Sequence, residues 1–289
     1  MSSILIRNGR IIDPANNIDQ IGSLSIKDGK IAELLSADSN ATAETVIDAS
    51  GQIICPGFID LSVRLREPGH SQKGSIVSET HAAAAAGVTS LCLPPDTKPT
   101  IDTPAVVEFI KDKAEKAGYP QVYTLGALSQ GLAGNDVSNL FALKQAGCIA
   151  VSNAGNSLNN LLILRRAMEY AATHDLLVIY RANETSLSGK GCAHEGAVAS
   201  RYGLPGIPAA AESIALAQCL ELAELTGCRL HISQISCKQS VIKLQQAKKY
   251  GSNITADVAI HQLHLTENDV IPFDSNYHVI PPFRSQIDR

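Results

Sequence analysis

The segment Ile59-Asp60-Leu61-Ser62-Val63-Arg64-Leu65-Arg66-Glu67-Pro68-Gly69 leads from an apolar run into a loop. Ser62 and Arg64 are two residues apart, so on a strand they share a face. Two histidines at that spacing could hold a metal ion. A hydroxyl and a guanidinium cannot do so in the same way, because arginine has no lone pair to give and stays protonated in proteins. Chemistry-bearing residues also follow the later apolar runs: Asp96 in "LPPDT", Ser152 and Asn153 in "VSNAG", and Arg181, Asn183 and Glu184 in "YRANE". His231, Ser233 and Gln234 follow in "HISQ", then Asp257 and His261 in "ADVAIH".

The elements that must position these residues have two rhythms. Residues 1 to about 54 read as β-structure. "ILIRNGRIID" and "LSIKDGKIAEL" each centre on an Asn-Gly or Asp-Gly pair between alternating apolar residues, which predicts hairpins. From residue 55 onward, apolar strands alternate with amphipathic helices. One helix is announced by Thr103 and Pro104 and is closed by Gly118. Seven strands are predicted between residue 57 and the "NITADVAIH" run. Val, Ile and Leu on both strand faces point to a parallel sheet covered by helices. A doubly wound sheet and a (β/α)8 barrel both fit, and the even repetition favours the barrel. No G-x-G-x-x-G or P-loop opens any helix. In a barrel the residues above gather at the carboxyl ends of the strands. The expected division is a small β-sandwich portion at 1–54 and a barrel at 55–289 lacking its last strand.

With 289 residues, 45% hydrophobic, the chain can bury a large core. A net charge of −4, 4% aromatics and no tryptophan give no reason to expect nucleic-acid binding. No apolar run is long enough to span a membrane, and the N-terminus lacks a signal-peptide pattern. Seven cysteines without a C-x-x-C pair predict reduced, mostly buried thiols and a cytoplasmic location. His231 reads as a satisfied core histidine. His261 and His264 read as surface or core residues, His70 and His81 as residues of a loop and a helix start, and His194 as exposed in a glycine-rich loop.

"PGFIDLSVRLREPG", "CLPPDTKPTIDTP", "HISQIS" and "VIPPFRSQIDR" together resemble the dihydroorotase family of cyclic amidohydrolases, in order and over essentially the whole chain. The resemblance implies a metal-dependent hydrolase barrel with an appended β-sandwich. It also identifies departures. The family's paired metal-binding histidines correspond to Ser62 and Arg64, its bridging ligand to Asn153, and its further histidines to Arg181 and Gln234. Arg66 matches a family arginine that contacts substrate carboxylate, Asp96 stands where an asparagine is expected, and His261 matches a histidine near the substrate.

Without an ion, nothing lowers the pKa of an attacking water from about 15.7 to about 7. The resemblance is closest to the non-catalytic dihydroorotase-type partner of aspartate transcarbamoylase. It implies a structural subunit of pyrimidine synthesis with no catalytic residues, no metal and no cofactor where the family uses zinc. The expected partner is aspartate transcarbamoylase, further copies of this chain, or both. Two alternatives stay open. One is a divergent amidohydrolase drawing on His231, His261, Asp257 and Glu184. The other is a metabolite-binding module in which Arg66 holds an acid. For Arg64 and Arg181, pairing with acids such as Asp60 or Glu184 competes with extension into solvent.

Overall fold

The computed structural model describes residues 3–37, 39–158 and 160–289. They form two compact units, Met1–Ile59 and Asp60–Arg289.

The first unit is a five-stranded sheet of β1 (Ser3–Asp13), β2 (Ile18–Lys27), β3 (Lys30–Leu35), β4 (Thr45–Asp48) and β5 (Ile53–Ile54). The two turn dipeptides behave differently. Asp28 and Gly29 both take positive φ, 50° and 74°, and join β2 to β3 as the expected hairpin. Asn8-Gly9 is not a turn. β1 runs straight through it, and Asn8 at φ 60° makes a bulge that shifts the β1–β2 register between Ile6 and Gly9. Gly9 also lies under Ile54: a Cβ there would sit 2.5 Å from the Ile54 Cδ1. Parallel pairing of β5 with β1 brings that side chain over, so the same dipeptide serves close packing.

Strand β6 (Phe58–Asp60) runs across that boundary, and the second unit continues with β7 (Val88–Leu93), β8 (Gln121–Ala127), β9 (Ala150–Ser152) and β10 (Leu177–Tyr180). Two short strands, β11 (Ala193–His194) and β12 (Gly206–Ile207), pair with each other, and β13 (Leu230–Ile232) and β14 (Ile254–Ala256) follow. The seven-stranded sheet has the order β14-β13-β10-β9-β8-β7-β6. The pairings from β7 to β14 are parallel. Strand order follows the chain without the reversal that defines a doubly wound sheet, so the sheet is the wall of a barrel. The helices are α1 (Ile76–Ala85), α2 (Pro104–Ala117), α3 (Leu140–Ala146), α4 (Leu161–Thr173), α5 (Thr185–Ser188), α6 (Ala197–Tyr202), α7 (Ala209–Thr226) and α8 (Lys238–Lys249).

Alternation along each strand sorts the core into layers. Leu91 and Leu93 of β7 pack outward with Val107 and Ile110 of α2, while Cys92 between them points inward with Leu125, Ala150 and Ile179. Val178 and Tyr180 of β10 likewise face Leu164 and Met168 of α4 and Leu216 and Cys219 of α7. Both strand faces are therefore apolar, which is why the sequence runs read as continuous rather than alternating.

Helix boundaries follow local chemistry. Pro104 starts α2 at the position where its missing N–H costs nothing, and Gly118, at φ 70°, ends it. The thiols are largely interior: Cys92, Cys148, Cys219, Cys228 and Cys237 are buried, Cys192 is intermediate and Cys55 is exposed. Burial pushes the Cys92, Cys148, Cys228 and Cys237 thiols up to about 11.

Candidate functional site: the mouth of the barrel

Ser62, Arg64, Asn153, Arg181, Ser233, Gln234 and Asp257 all follow the carboxyl ends of sheet strands. The structure gathers Ser62, Arg64, Arg181 and Gln234 around one small cavity of about 20 Å³, with Leu125, Ser152 and Ile179 in its wall. That is room for little more than a water molecule.

Arg64 donates from Nε to Asp96 Oδ2 at 2.7 Å. This corrects the expected pairing with Asp60 or Glu184. Asp60 instead accepts from the Ser62 backbone N–H at 2.9 Å. Glu184 caps α5, accepting from Ser186 N at 3.1 Å and Oγ at 2.7 Å. Both acids are held by their own loops, so the free carboxylate nearest the Arg64 loop is the one on the segment after β7. The pair is half-exposed, 36% for Arg64 and 27% for Asp96, so it contributes little net stability.

Asn153 is 3% exposed and uses its whole amide to tie two loops together. Its Oδ1 accepts from Arg181 N at 3.0 Å, and its Nδ2 donates to Asn156 O at 2.8 Å and Arg181 O at 3.2 Å. The side chain thus extends the β9–β10 pairing by one residue. The Arg181 guanidinium lies against the bare face of Gly155, where an added Cβ would stand 1.9 Å from Nη2. No hydrogen bond or ion pair from that guanidinium is formed among the described residues. Desolvation lowers its pKa, with the Arg64 charge acting in the same direction and Asp96 opposing.

Gln234, at φ 58°, points its backbone N–H at Asp257 Oδ1, 2.8 Å away. The other oxygen of Asp257 meets His231 Nε2 at 2.8 Å, and His231 Nδ1 meets Thr255 Oγ1 at 2.8 Å. His231 is therefore the satisfied core histidine that its apolar strand suggested, with both ring nitrogens engaged.

The three positions expected to hold a residual ligand are not joined by any bond among the described residues. Asp96 is taken by Arg64. Arg66 is exposed, at φ 64°, and its carbonyl accepts from His70 N at 2.7 Å. His261 sits edge-on to Phe283 with ring centroids 5.4 Å apart, and desolvation lowers its pKa. Next to Arg66, Glu67 anchors the loop by accepting from Ile76 N at 3.0 Å and pairing with Lys113 at 3.3 Å.

One cluster was not anticipated. Glu212 and Arg284, 4% and 3% exposed, meet beneath a neighbouring cavity. Glu212 accepts from Ser236 N at 3.0 Å, from Cys237 N at 3.2 Å and from the Ser236 hydroxyl. Arg284 donates to Ser236 Oγ at 3.0 Å and Ile207 O at 2.7 Å, with Nη2 3.9 Å from Glu212. The available clue was a single acid in the apolar run "AAAESIALA". His194, expected to be exposed, joins this cluster: it is half-buried in β11, with Nδ1 3.3 Å from Arg284. Its pKa is lowered, first by desolvation and then by the Arg284 charge.

A model of the Dihydro-orotase-like family matches residues 51–240. The chain is 48% identical to a dihydroorotase-like protein of Pseudomonas aeruginosa over 287 residues, 99% of this chain and 68% of that protein. This chain belongs to the dihydroorotase-like family. It is also 42% identical over 282 residues to a dihydroorotase of Solibacter usitatus, covering 98% of this chain and 65% of that protein. Among solved structures, the L-hydantoinase of Arthrobacter aurescens superposes with a TM-score of 0.81 at 21% identity, over 99% of this chain and 64% of its own. That likeness shows the amidohydrolase barrel fold. The chain thus spans about two-thirds of the length of these relatives.

The family resemblance implies a zinc centre, and the residues at its positions do not fit one. Zinc takes imidazole, thiolate or carboxylate. Here the positions carry a hydroxyl, two guanidiniums and two amides, and the Asn153 oxygen is already committed to a backbone N–H. Two guanidiniums would also repel a dication. Among the described residues, no three His, Cys, Asp or Glu side chains are gathered as a metal cradle.

Proposed function

We propose that this chain is a non-catalytic dihydroorotase-like subunit of pyrimidine biosynthesis that assembles with an aspartate transcarbamoylase, with further copies of itself, or with both. The observation that carries the reading is the rebuilt mouth. Arg64, paired with Asp96, and the Arg181 guanidinium stand at positions where a hydrolytic metal would need donors. An amide-hydrolysing centre must generate a nucleophile near neutral pH; guanidiniums do not, and the carboxylate beside them, Asp96, is engaged by Arg64 at 2.7 Å. The His231–Asp257 pair gives the alternative of a divergent hydrolase no support. His231 meets Thr255 and Asp257, and Asp257 also accepts from Gln234 N, so the pair is tied to strand and loop groups of the wall rather than to Arg64 or Arg181.

A cytoplasmic setting is part of the proposal, supported by buried, unpaired thiols. No helix among the described residues is long and apolar enough to cross a membrane.

Elemental analysis combined with dihydroorotate turnover tests the loss of catalysis. The expected result is no stoichiometric zinc and no hydrolysis. A zinc ion whose removal abolishes hydrolysis would overturn the reading. Co-elution with the transcarbamoylase from the same source tests the assembly; separate elution at micromolar concentrations would count against it.

A further inference from the structure

Arg181 is the half-buried cation of the mouth whose guanidinium forms no ion pair among the described residues. Its neighbour Asp96 is engaged by Arg64 at 2.7 Å. Arg181 also lines a second cavity of about 210 Å³, walled by Asn183, Ser188, Ile207, Pro281 and Arg284 among others. The acid in that wall is Glu212, and its oxygens are used by Ser236, Cys237 and Arg284. Arg181 is therefore the cation in this lining whose guanidinium forms no ion pair among the described residues. A guanidinium cannot relieve its desolvation by losing a proton, so an unpaired one is stabilised by an incoming anion. Its planar fork matches a carboxylate or a phosphate. The space is below the range of about 300–1,000 Å³ typical of drug-sized ligands, so the occupant is small.

We propose that this cavity is a binding site for a small oxyanion, a carboxylate or a phosphate, held by the Arg181 guanidinium where the family resemblance would have put a metal ligand. Asn183 and the buried Ser188 hydroxyl supply the neighbouring polar contacts, and Gly155 leaves the guanidinium room to lie flat. The site is distinct from the Arg66 loop, where the resemblance alone would have placed an acid. It does not depend on the proposed scaffold role, since failure to bind a transcarbamoylase would leave it untouched.

The test uses the full chain, treated with a chelator and exchanged into a chloride buffer. Succinate and inorganic phosphate are titrated separately by calorimetry and by thermal melting. At least one should bind with a Kd of about 1 mM or tighter and raise Tm with concentration. Which anion binds more tightly identifies the class. Arg181→Gln should lose tenfold or more in affinity while keeping native circular dichroism. Gly155→Ala, which displaces the guanidinium but keeps its charge, should also weaken binding. Arg165→Gln, a remote exposed cation, should bind as the native chain does. Either of two results overturns the proposal: neither anion binding to the chelator-treated chain, or Arg181→Gln and Gly155→Ala both binding normally.

Discussion

Two polar clusters in the barrel unit are built from the same side-chain types and end in opposite states. Beneath the β11–β12 pair, Glu212 and Arg284 are almost fully enclosed, and each is satisfied by hydroxyl, backbone and charge partners. At the mouth, Arg64 and Asp96 form a half-exposed pair and Arg181 is left over. A buried ion pair that loses one member leaves an uncompensated charge, whereas a surface pair loses little. The enclosed cluster is thus part of what holds the fold, and the mouth is a region where charge can change without unfolding the chain.

That contrast can be broken by experiment. The largest effect is expected for Glu212→Ala, which strands Arg284 in the interior and frees two backbone N–H groups. It should cost about 3–5 kcal/mol in urea unfolding, and a loss below about 1 kcal/mol would erase the distinction between the clusters. Asn153→Ala should follow at about 1–3 kcal/mol, because the Arg181 backbone N–H loses its acceptor. Arg64→Ala should change stability by no more than about 1 kcal/mol; a larger loss would make the mouth a structural element in its own right.

The smallest effect concerns pH. The folded chain disfavours protonation of His194, chiefly through desolvation and then through Arg284. The unfolded chain therefore takes up the proton first as pH falls below about 6.5, and stability declines from there until the folded form is protonated as well. His194→Gln should flatten part of that slope in Tm measured between pH 7 and 5. His261, whose pKa is lowered in the same direction, adds to that slope.

Much of the barrel could be read from the chain because its signals are local. Pro104 and Gly118 mark the ends of α2, and apolar runs mark strands whose faces are both buried. The donor deficit was legible too, because once the family resemblance marks Ser62, Arg64, Asn153, Arg181 and Gln234, their residue types decide it. Partnerships were not legible. Arg64 meets Asp96 across 32 positions, and Glu212 meets Arg284 across 72, numbers that no short window contains. Asn8-Gly9 misled for a related reason: the dipeptide permits positive φ, but whether that makes a turn or a bulge is decided by Ile54 packing over it from another strand.

The contact between Arg181 and Gly155 makes those two positions interdependent for anyone rebuilding a metal centre in this mouth. A side chain installed at 155 first would collide with the guanidinium, 1.9 Å from a new Cβ, and would strain a backbone held at φ 82°. Shortening residue 181 first opens a void above a glycine that has nothing to fill it. The order of substitutions, more than their number, would decide whether such a redesign passes through folded intermediates.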